Sequence, residues 1–474
     1  MSAASRAVLA ARAALVLGRN ADGPVVKPAR GLYPHQWSWD TGFIAVALAR
    51  VDTEMARASL DALFTGQWRT GMVPHIVFDP ASEGYFPDPA RWACSAVTAD
   101  APAAPQTSGI CQPPIHALAA TAILENAPQE GPHRAATARE WAAALYPKLL
   151  AWHRFLARER VDPASGLVRI FHGWESGMDN SPRWDAAYAR VQVRASLPPY
   201  ERRDLAYVHD ASERPSRAEY DRYLTLVEEF KEAAYDQARL AQTCSFVVGD
   251  VFFTAIFALA NEHLGELCQL LGGDEGDEIA AYADGARGAV RRRMVGGGGT
   301  ALDLDLRTGA DLAPATIAEF SPLVAGGLPL DEVRRLRDRL LGPDWAGHPE
   351  LRWPVPPSTS PASDFYRPRT YWRGPVWPVM TWLLALALER AGEREAAEGL
   401  RRATVAQLGD GRFGEYYEPM TGEFLGSGDH SWTAAVLVDL LCGRGPRRRI
   451  DREAATGKMS VMSRRAFGPS SQGA

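Results

Sequence analysis

Residues 251–271 read VFFTAIFALANEHLGELCQLL and carry the pattern that decides the fold. Their apolar side chains recur at i, i+3 and i+4 spacing, which is typical of an α-helix buried in a core, and Gly272 follows as a helix-ending residue. The same spacing recurs along the whole chain. It predicts further helices at residues 53–68, 115–126, 135–157, 217–240, 278–294, 331–341, 375–390, 395–408 and 431–441.

Few segments predict strands. Residues 167–172 and 301–306 have strand-like composition, but the sequence has no run of alternating β-branched residues and no strand–helix repeat. About a dozen helices, with no linker before residue 443, predict one all-α domain of paired helices over residues 1–442. Residues 443–474 hold a basic run followed by Gly, Pro, Ser and Gln, and we expect a poorly ordered C-terminal tail there.

Composition and charge exclude several classes of function. The 474 residues carry a formal net charge of −5 and 46 % of them are hydrophobic, which favours a globular enzyme over a partner of nucleic acid or a membrane surface. No apolar run approaches the ~20 residues that span a bilayer. Residues 1–19 predict an amphipathic helix and not a secretory signal, and the five dispersed cysteines suit reduced thiols, so we expect a cytoplasmic protein. Whether the chain forms a homo-oligomer stays open.

The first segment that suggests chemistry is residues 33–40, YPHQWSWD, just before a predicted helix. Sugars present apolar C–H faces and outward hydroxyl groups, so aromatic platforms beside a carboxylate favour a sugar site. The alternative is an aromatic cluster packed at a helix start and capped by Asp40. That alternative accounts for one tryptophan and the aspartate, but not for Tyr33, Trp37 and Trp39 together.

The second segment is residues 172–185, HGWESGMDNSPRWD. Three acids share this loop with Trp174 and Trp184. An exposed loop also carries charges, so some of the acids could simply be solvated. The flanking tryptophans favour a site instead, because an apolar wall raises a carboxyl pKa towards the value that a general acid needs.

The third segment is residues 414–423, GEYYEPMTGE, followed by DHSW at 429–432. Glu415 and Glu418 are candidates for a second carboxylate, whereas Glu423 is expected to be a surface residue of a turn. Hydrolysis of a glycosidic bond requires two carboxyl groups, since one protonates the leaving oxygen and the other attacks or activates water. A closed helical barrel can bring the second and third segments to one mouth.

Other classes of function fit less well. A sugar epimerase on a helical barrel would rely on paired histidines, but only His172 and His430 lie near the acids. A non-catalytic sugar-binding protein would keep the tryptophans and need not keep two carboxylates. The ten histidines contain no zinc-binding motif, and Asp303 and Asp305 are predicted to be surface charges of a hairpin.

Taken together, the segments resemble glycoside hydrolase family 63, and within it the bacterial glucosylglycerate hydrolases. The resemblance covers nearly all of the chain up to about residue 443. It also runs through residues 66–78 (GQWRTGMVPHIVF), 84–92 (GYFPDPARW), 107–116 (TSGICQPPIH), 214–223 (RPSRAEYDRY) and 356–378. It implies an (α/α)6 barrel (a toroid with site-forming loops), no cofactor, no obligatory metal, and inverting hydrolysis of a small α-glucoside with an acidic aglycone.

The substrate implied by this resemblance is glucosylglycerate, cleaved to glucose and glycerate. Mannosylglycerate, or another small α-glucoside, is the alternative, because glucose and mannose differ only at C2. By position in the family motifs, Asp179 corresponds to the general acid and Glu415 to the general base, with Glu418 as the second choice. The positions that line the sugar pocket in such enzymes correspond to Tyr33, Trp37, Trp39, Asp40, Tyr85, Gln112, Trp174, Trp377 and Trp432.

An acidic aglycone needs a cation, and arginine offers the two-pronged donor that a carboxylate prefers. Arg214 matches the family position for this task, with an ordinary surface arginine as the alternative. Further candidates for the same end of the site are Tyr220, Tyr371 and Trp372. The loop 209–220 is expected to act as a mobile lid. His430 stands where relatives tend to carry glutamine, so we expect it to alter contacts near the aglycone or the water.

Overall fold

The computed structural model describes residues 2–82, 84–208, 210–295 and 299–442, so the tail predicted at 443–474 lies outside the described residues. The α-helices in these ranges are α1 (Ala3–Asn20), α2 (Ser38–Leu48), α3 (Thr53–Phe64), α4 (Pro89–Trp92), α5 (Cys94–Val97), α6 (His116–Asn126), α7 (Pro132–Phe155), α8 (Asp185–Ala189), α9 (Arg217–Glu232), α10 (Gln237–Thr243), α11 (Val251–Leu271), α12 (Gly276–Arg292), α13 (Ser321–Ala325), α14 (Leu330–Leu340), α15 (Pro378–Arg390), α16 (Arg394–Gln407) and α17 (Ser431–Cys442).

The strands are short. They are β1 (Ala21–Asp22), β2 (Val25–Val26), β3 (Gln36–Trp37), β4 (Ile76–Val77), β5 (Val168–Ile170), β6 (Val248–Asp250), β7 (Met294–Val295), β8 (Thr300–Ala301), β9 (Asp303–Asp305), β10 (Asp311–Leu312), β11 (Tyr416–Tyr417) and β12 (Phe424–Leu425). Strands β10, β9, β6 and β5 form an antiparallel sheet in that order, and the other strands form two-stranded pairs.

Six helices form an inner ring within the described chain. Almost every residue of α2, α6, α13, α15 and the first two turns of α17 is buried, which suits helices that are apolar all round. Contacts run in the order α2, α6, α11, α13, α15, α17 and back to α2, so the ring closes. Helix α11 is long and apolar enough to cross a membrane by length and composition, and most of it is buried in this ring.

An outer layer of amphipathic helices covers the ring. Helices α3, α7, α12, α16 and α1 contact α2, α6, α11, α15 and α17 respectively. Helix α14 buries Val333, Leu336 and Leu340 on one face. It is tied to its outer neighbours by ion pairs of Arg291 with Glu332 and of Arg337 with Glu393. Six inner and six outer helices within the described residues form the predicted (α/α)6 barrel, and this prediction is confirmed.

Most predicted helices lie within a few residues of their predicted bounds, but the helix predicted over 217–240 is two helices, α9 and α10. Between them Ala234 and Tyr235 adopt φ values of 53° and 59°, which an α-helix cannot accommodate. The break lets the Tyr235 ring pack on Gly109, where any Cβ would overlap it, while its hydroxyl donates to the carbonyl of Trp92. Tertiary packing therefore overrides the helical periodicity here.

The prediction that Asp303 and Asp305 are surface charges was wrong. Both are buried, because the sheet of β5, β6, β9 and β10 is covered by the loop that follows residue 178. Asp303 accepts hydrogen bonds from Arg183 at 3.0 and 3.1 Å, and Asp305 pairs with Arg190 at 2.6 Å. These ion pairs fix the loop that carries Asp179.

Candidate active site

A cavity lies among the loops that precede the inner helices α2, α6, α15 and α17. Its wall includes every predicted site residue except Trp377 and Glu418, the second choice for the base. The included residues are Tyr33, Trp37, Trp39, Asp40, Tyr85, Gln112, Trp174, Asp179, Arg214, Tyr220, Tyr371, Trp372, Glu415, His430 and Trp432. Residues separated by almost four hundred positions in sequence therefore share one site.

Four carboxyl groups line this cavity: Asp40, Asp179, Asp204 and Glu415. Asp204 pairs with arginines, and the other three come from three different elements. Asp40 lies in the first turn of α2, Asp179 follows the short helix Gly173–Ser176, and Glu415 directly precedes β11. Burial raises the pKa of Asp40 to about 8, and repulsion by Glu415 adds to this. Burial also raises the pKa of Asp179 to about 7, helped by Glu415 and opposed by Arg214. At neutral pH Asp40 therefore keeps its proton and Asp179 is poised to give one up.

Glu415 is held by donors that favour its ionised form. Tyr33 donates its hydroxyl to Oε1 at 2.6 Å, and the backbone N–H of Ser427 donates to Oε2 at 3.1 Å. The guanidinium of Arg214 lies 3.7 Å from Oε1. Burial raises the pKa of Glu415, whereas Arg214, Tyr33 and Ser427 lower it. Of Asp40, Asp179 and Glu415, it is therefore Glu415 whose surroundings best support a negative charge.

Asp179 has different surroundings. Within the described ranges of the chain, no side chain donates a hydrogen bond to its carboxyl group. Both of its neighbours in sequence are held by hydrogen bonds, because Trp184 donates its indole N–H to the carbonyl of Met178 at 2.9 Å, and Trp372 donates its backbone N–H to the side-chain oxygen of Asn180 at 3.0 Å. The loop thus holds a carboxyl group that can present its proton to the cavity.

Aromatic rings make up much of the wall. Trp39 packs edge-on against Trp432, with 5.9 Å between ring centroids. Trp377 was predicted to line the cavity, but it lies outside the wall. It lies behind Trp372 in a parallel stack, with 3.8 Å between centroids, and its other neighbours include Tyr416 at 4.6 Å. Trp377 is therefore a backing layer that keeps Trp372 rigid in the wall.

Arg214 lines the cavity. It is only 7 % exposed, which excludes the alternative of an ordinary surface arginine. It donates to the Tyr33 hydroxyl at 3.2 Å, and its guanidinium lies 4.1 Å from the centre of the Tyr371 ring. Tyr371 itself has a φ of 36°, an uncommon conformation for a bulky residue that is often found at functional sites.

His430 and His172 do not form the pair that an epimerase would need. His430 lines the cavity between Tyr33 and Trp432, and burial lowers its pKa to about 3, so it is neutral. His172 lies outside the wall, where its ring hydrogen-bonds the carbonyl of Tyr223 at 3.1 Å. This arrangement disfavours proton transfer between two histidines.

The other acids of the second segment serve the scaffold. Glu175 is fully buried and accepts two hydrogen bonds from Arg160, at 2.7 and 2.9 Å. Asp185 accepts two hydrogen bonds from Arg373, at 2.7 and 2.8 Å, at the protein surface. Asp179 is thus the acid of residues 172–185 that faces the cavity.

Glu418 and Glu423 lie outside the cavity wall. Glu418 accepts hydrogen bonds from the backbone N–H and the hydroxyl of Thr421, and so stabilises the turn between β11 and β12. Glu423 is a surface residue that accepts a hydrogen bond from Arg369 at 2.7 Å. The geometry therefore favours Glu415 over Glu418 as the second carboxyl group of the site.

Several wall residues were not predicted. Arg203, Asp204 and Tyr207 lie on the short segment that precedes Arg214, and His75 lies beside Trp37. The charged and aromatic composition of residues 200–207 was the available signal, but such composition is equally common in solvated loops. The lid predicted at 209–220 supplies Arg214 and Tyr220 to the wall, and its motion stays a prediction.

The chain matches the family model of the mannosylglycerate hydrolase MGH1-like glycoside hydrolase domain over residues 33–433. The glucosylglycerate hydrolase of Mycolicibacterium hassiacum is 47 % identical over 435 residues, which cover 91 % of this chain and 97 % of that protein. The mannosylglycerate hydrolase of Rubrobacter radiotolerans is 38 % identical over 435 residues, which cover 91 % of this chain and 96 % of that protein.

Solved structures agree with these sequence relatives. The crystal structure of the GH63 mannosylglycerate hydrolase from Thermus thermophilus in complex with Tris has a TM-score of 0.82 and 39 % sequence identity, covering 91 % of this chain and 99 % of that one. A second structure of that enzyme is a complex with Tris and D-glycerate. The match of family model, sequence and fold over almost the whole barrel shows that this chain is a glycoside hydrolase and belongs to glycoside hydrolase family 63.

Proposed function

We propose that this enzyme hydrolyses glucosylglycerate to glucose and glycerate with inversion at the anomeric carbon, using Asp179 as general acid and Glu415 as general base. The observation that carries the proposal is the contrast between two buried carboxyl groups in one cavity. Asp179 has a pKa raised to about 7 and no side-chain donor within the described chain. Glu415 has donors in Tyr33 and Ser427 and the nearby charge of Arg214.

The reaction follows from these two protonation states. Asp179 gives its proton to the oxygen that links the sugar to the aglycone, and the bond from that oxygen to C1 breaks. Glu415 takes a proton from a water whose oxygen bonds to C1 on the opposite face. Both carboxyl groups then exchange a proton with solvent to restore the starting state. Asp40, whose pKa is raised to about 8, can both donate and accept hydrogen bonds with the sugar hydroxyls in its protonated form.

We assign the acidic aglycone to the part of the cavity beside Arg214. Arg214 is a buried cation with Tyr33 and Tyr371 against it, and its charge and planar donors suit a carboxylate. D-glycerate, the aglycone of both candidate substrates, is bound in one structure of the Thermus thermophilus relative. Aromatic surfaces of Trp39, Trp372 and neighbouring rings remain for the sugar.

We choose glucosylglycerate over mannosylglycerate as the substrate because the glucosylglycerate hydrolase relative is 47 % identical, against 38 to 40 % for the mannosylglycerate hydrolases. Mannosylglycerate stays the second candidate, since several relatives carry that name. One or two hydrogen bonds at C2 decide between the sugars.

The test is sugar release from each compound by the purified protein and by matched variants. We expect a higher kcat/KM for glucosylglycerate than for mannosylglycerate. Asp179→Asn and Glu415→Gln should each lower kcat by about 10²–10⁴-fold, the range of general acid–base catalysis. Glu423→Gln, on the same hairpin but at the surface, should leave kcat unchanged. Release of neither sugar, or full activity of Asp179→Asn, would overturn the proposal.

A further inference from the structure

Asp204 joins two arginines beside the cavity. Its carboxylate accepts hydrogen bonds from Arg202 at 2.5 and 3.0 Å and from the Nε of Arg214 at 3.5 Å. The three side chains are 6, 9 and 7 % exposed in the order Arg202, Asp204, Arg214, so this is a buried cluster and not a surface ion pair. Asp204 and Arg214 both belong to the cavity wall.

Each arginine of this cluster also covers a tyrosine of the wall. The guanidinium of Arg202 lies 4.1 Å from the centre of the Tyr220 ring, and that of Arg214 lies 4.1 Å from the centre of the Tyr371 ring. Tyr220 and Tyr371 both line the cavity. Asp204 therefore links two arginine–tyrosine stacks that come from different parts of the chain.

The charges of the two arginines explain why Asp204 is needed between them. Two guanidinium groups held close together repel each other unless an anion lies between them. Burial opposes ionisation of Asp204, but Arg202 and Arg214 outweigh it and lower its pKa, so the carboxylate is charged. Glu415 also lies near Arg214, with 3.7 Å between its Oε1 and Nη1 of the arginine. Without Asp204, Arg214 would be free to turn towards Glu415.

We propose that Asp204 is a positioning and specificity-determining residue for the acidic aglycone, because its carboxylate holds the Nε side of Arg214 and so sets the direction in which the guanidinium faces the substrate carboxylate. This inference rests on the proposed function only in taking glycerate as the aglycone. Asp204 does not touch the reacting atoms. It acts through Arg214, and so it sets the affinity for the acidic half of the substrate.

Two alternative roles of Asp204 predict different effects of its removal on the binding of glycerate and glucose. If Asp204 only offsets positive charge, its removal would leave Arg214 in place with a stronger field, and glycerate would bind more tightly. If Asp204 only stabilises the fold, its removal would weaken glucose and glycerate binding alike. Positioning alone predicts weaker binding of glycerate together with unchanged binding of glucose.

The test is calorimetric titration of the full-length enzyme with D-glycerate and, separately, with glucose, because neither titration needs turnover. For Asp204→Asn we expect the Kd of glycerate to rise about tenfold, equivalent to about 1.4 kcal/mol, with the Kd of glucose within twofold of wild type. Asp204→Glu, which keeps the charge, should recover part of the loss. Kinetics with glucosylglycerate should show the change in KM and not in kcat.

Glu201→Gln is the matched control, since Glu201 is an exposed carboxylate of the same segment that pairs with Arg203 at 3.5 Å. It should leave both dissociation constants unchanged. An unchanged or lower Kd of glycerate in Asp204→Asn, an equal loss for glucose, or no glycerate binding by the wild type would overturn the inference. Failure of the proposed function has a separate readout, because the wild-type enzyme would then release no sugar from glucosylglycerate.

Discussion

At the scale of the residue, Asp179 and Glu415 illustrate how one cavity gives two acids different states. Both are removed from bulk water, which raises the pKa of each. Glu415 accepts hydrogen bonds from Tyr33 and from the Ser427 N–H, and such donors stabilise an anion. Asp179 receives no comparable side-chain donor in the described chain. The contrast assigns the proton to Asp179 and the charge to Glu415.

The pH dependence of kcat/KM should therefore be a bell. Activity should fall as the pH rises above about 7, because Asp179 must keep its proton and its pKa is about 7. Activity should also fall on the acid side as Glu415 gains a proton, at a higher pH than an exposed glutamate would show, because burial raises its pKa. Initial rates at low substrate from about pH 4 to about pH 9 would check this, since that range spans both ionisations. A plateau that persists to the alkaline end would contradict the role of Asp179.

Residue chemistry could be predicted from the sequence better than residue placement. Acids beside tryptophans indicated a sugar site, and the family motif separated Asp179 from Glu175. Composition alone could not make that separation, since both acids lie in one loop. The two acids differ because Glu175 forms a buried ion pair with Arg160 and is therefore not available to the cavity. Such pairing between side chains cannot be recognised in a single sequence.

At the scale of the element, the hairpin of β11 and β12 is what places Glu415. Tyr416 pairs with Leu425 and Tyr417 with Phe424, and the chain then returns so that the Ser427 N–H reaches the carboxylate of Glu415. Gly426 makes this return possible. Its φ is 70°, and a Cβ there would collide with Oε2 of Glu415.

Gly426→Ala should therefore displace the carboxylate of Glu415. We expect kcat to fall by about 10²-fold, the cost of a misplacement of about 1 Å. Gly428→Ala is the matched control, because a Cβ on Gly428 would meet only Phe424 at 3.8 Å. Steady-state kinetics and circular dichroism of both variants would make the comparison. Equal activity of the two variants would show that the hairpin does not position Glu415.

The helices could be predicted from the sequence because their periodicity is local, and α11 was predicted to the residue. The loops could not, since their shapes depend on distant partners. The break between α9 and α10 is an example, because only the contacts of Tyr235 with Gly109 and Trp92 explain it. The wall residue Asp204 escaped prediction for the same reason.

At the scale of the whole molecule, the closed ring of inner helices serves as a fixed base for loops that come from all parts of the sequence. Buried ion pairs and hydrogen bonds connect those loops to the ring of helices and to one another. Glu175 is the centre of one such network, because it pairs with Arg160 and also accepts hydrogen bonds from the backbone N–H groups of Phe171 and Cys111. Gln112 of the cavity wall directly follows Cys111, so this network joins two sides of the site.

Glu175→Gln should destabilise the fold by about 3 kcal/mol, because it leaves the fully buried Arg160 without a counter-charge. Asp100→Asn removes the partner of Arg69 in an exposed pair and should cost less than about 1 kcal/mol. Equilibrium unfolding in urea would give both free energies. Equal values for the two variants would mean that the buried pair does not hold the loops.

The most direct test of the proposed chemistry is proton NMR of the sugar released from glucosylglycerate during the first minutes of reaction. Inversion of an α-glucoside by water predicts that β-glucose appears first and that α-glucose follows only by mutarotation. The same spectra identify substrate, bond cleaved and stereochemistry. Early α-glucose would contradict the roles assigned to Asp179 and Glu415, and absence of any glucose would contradict the substrate.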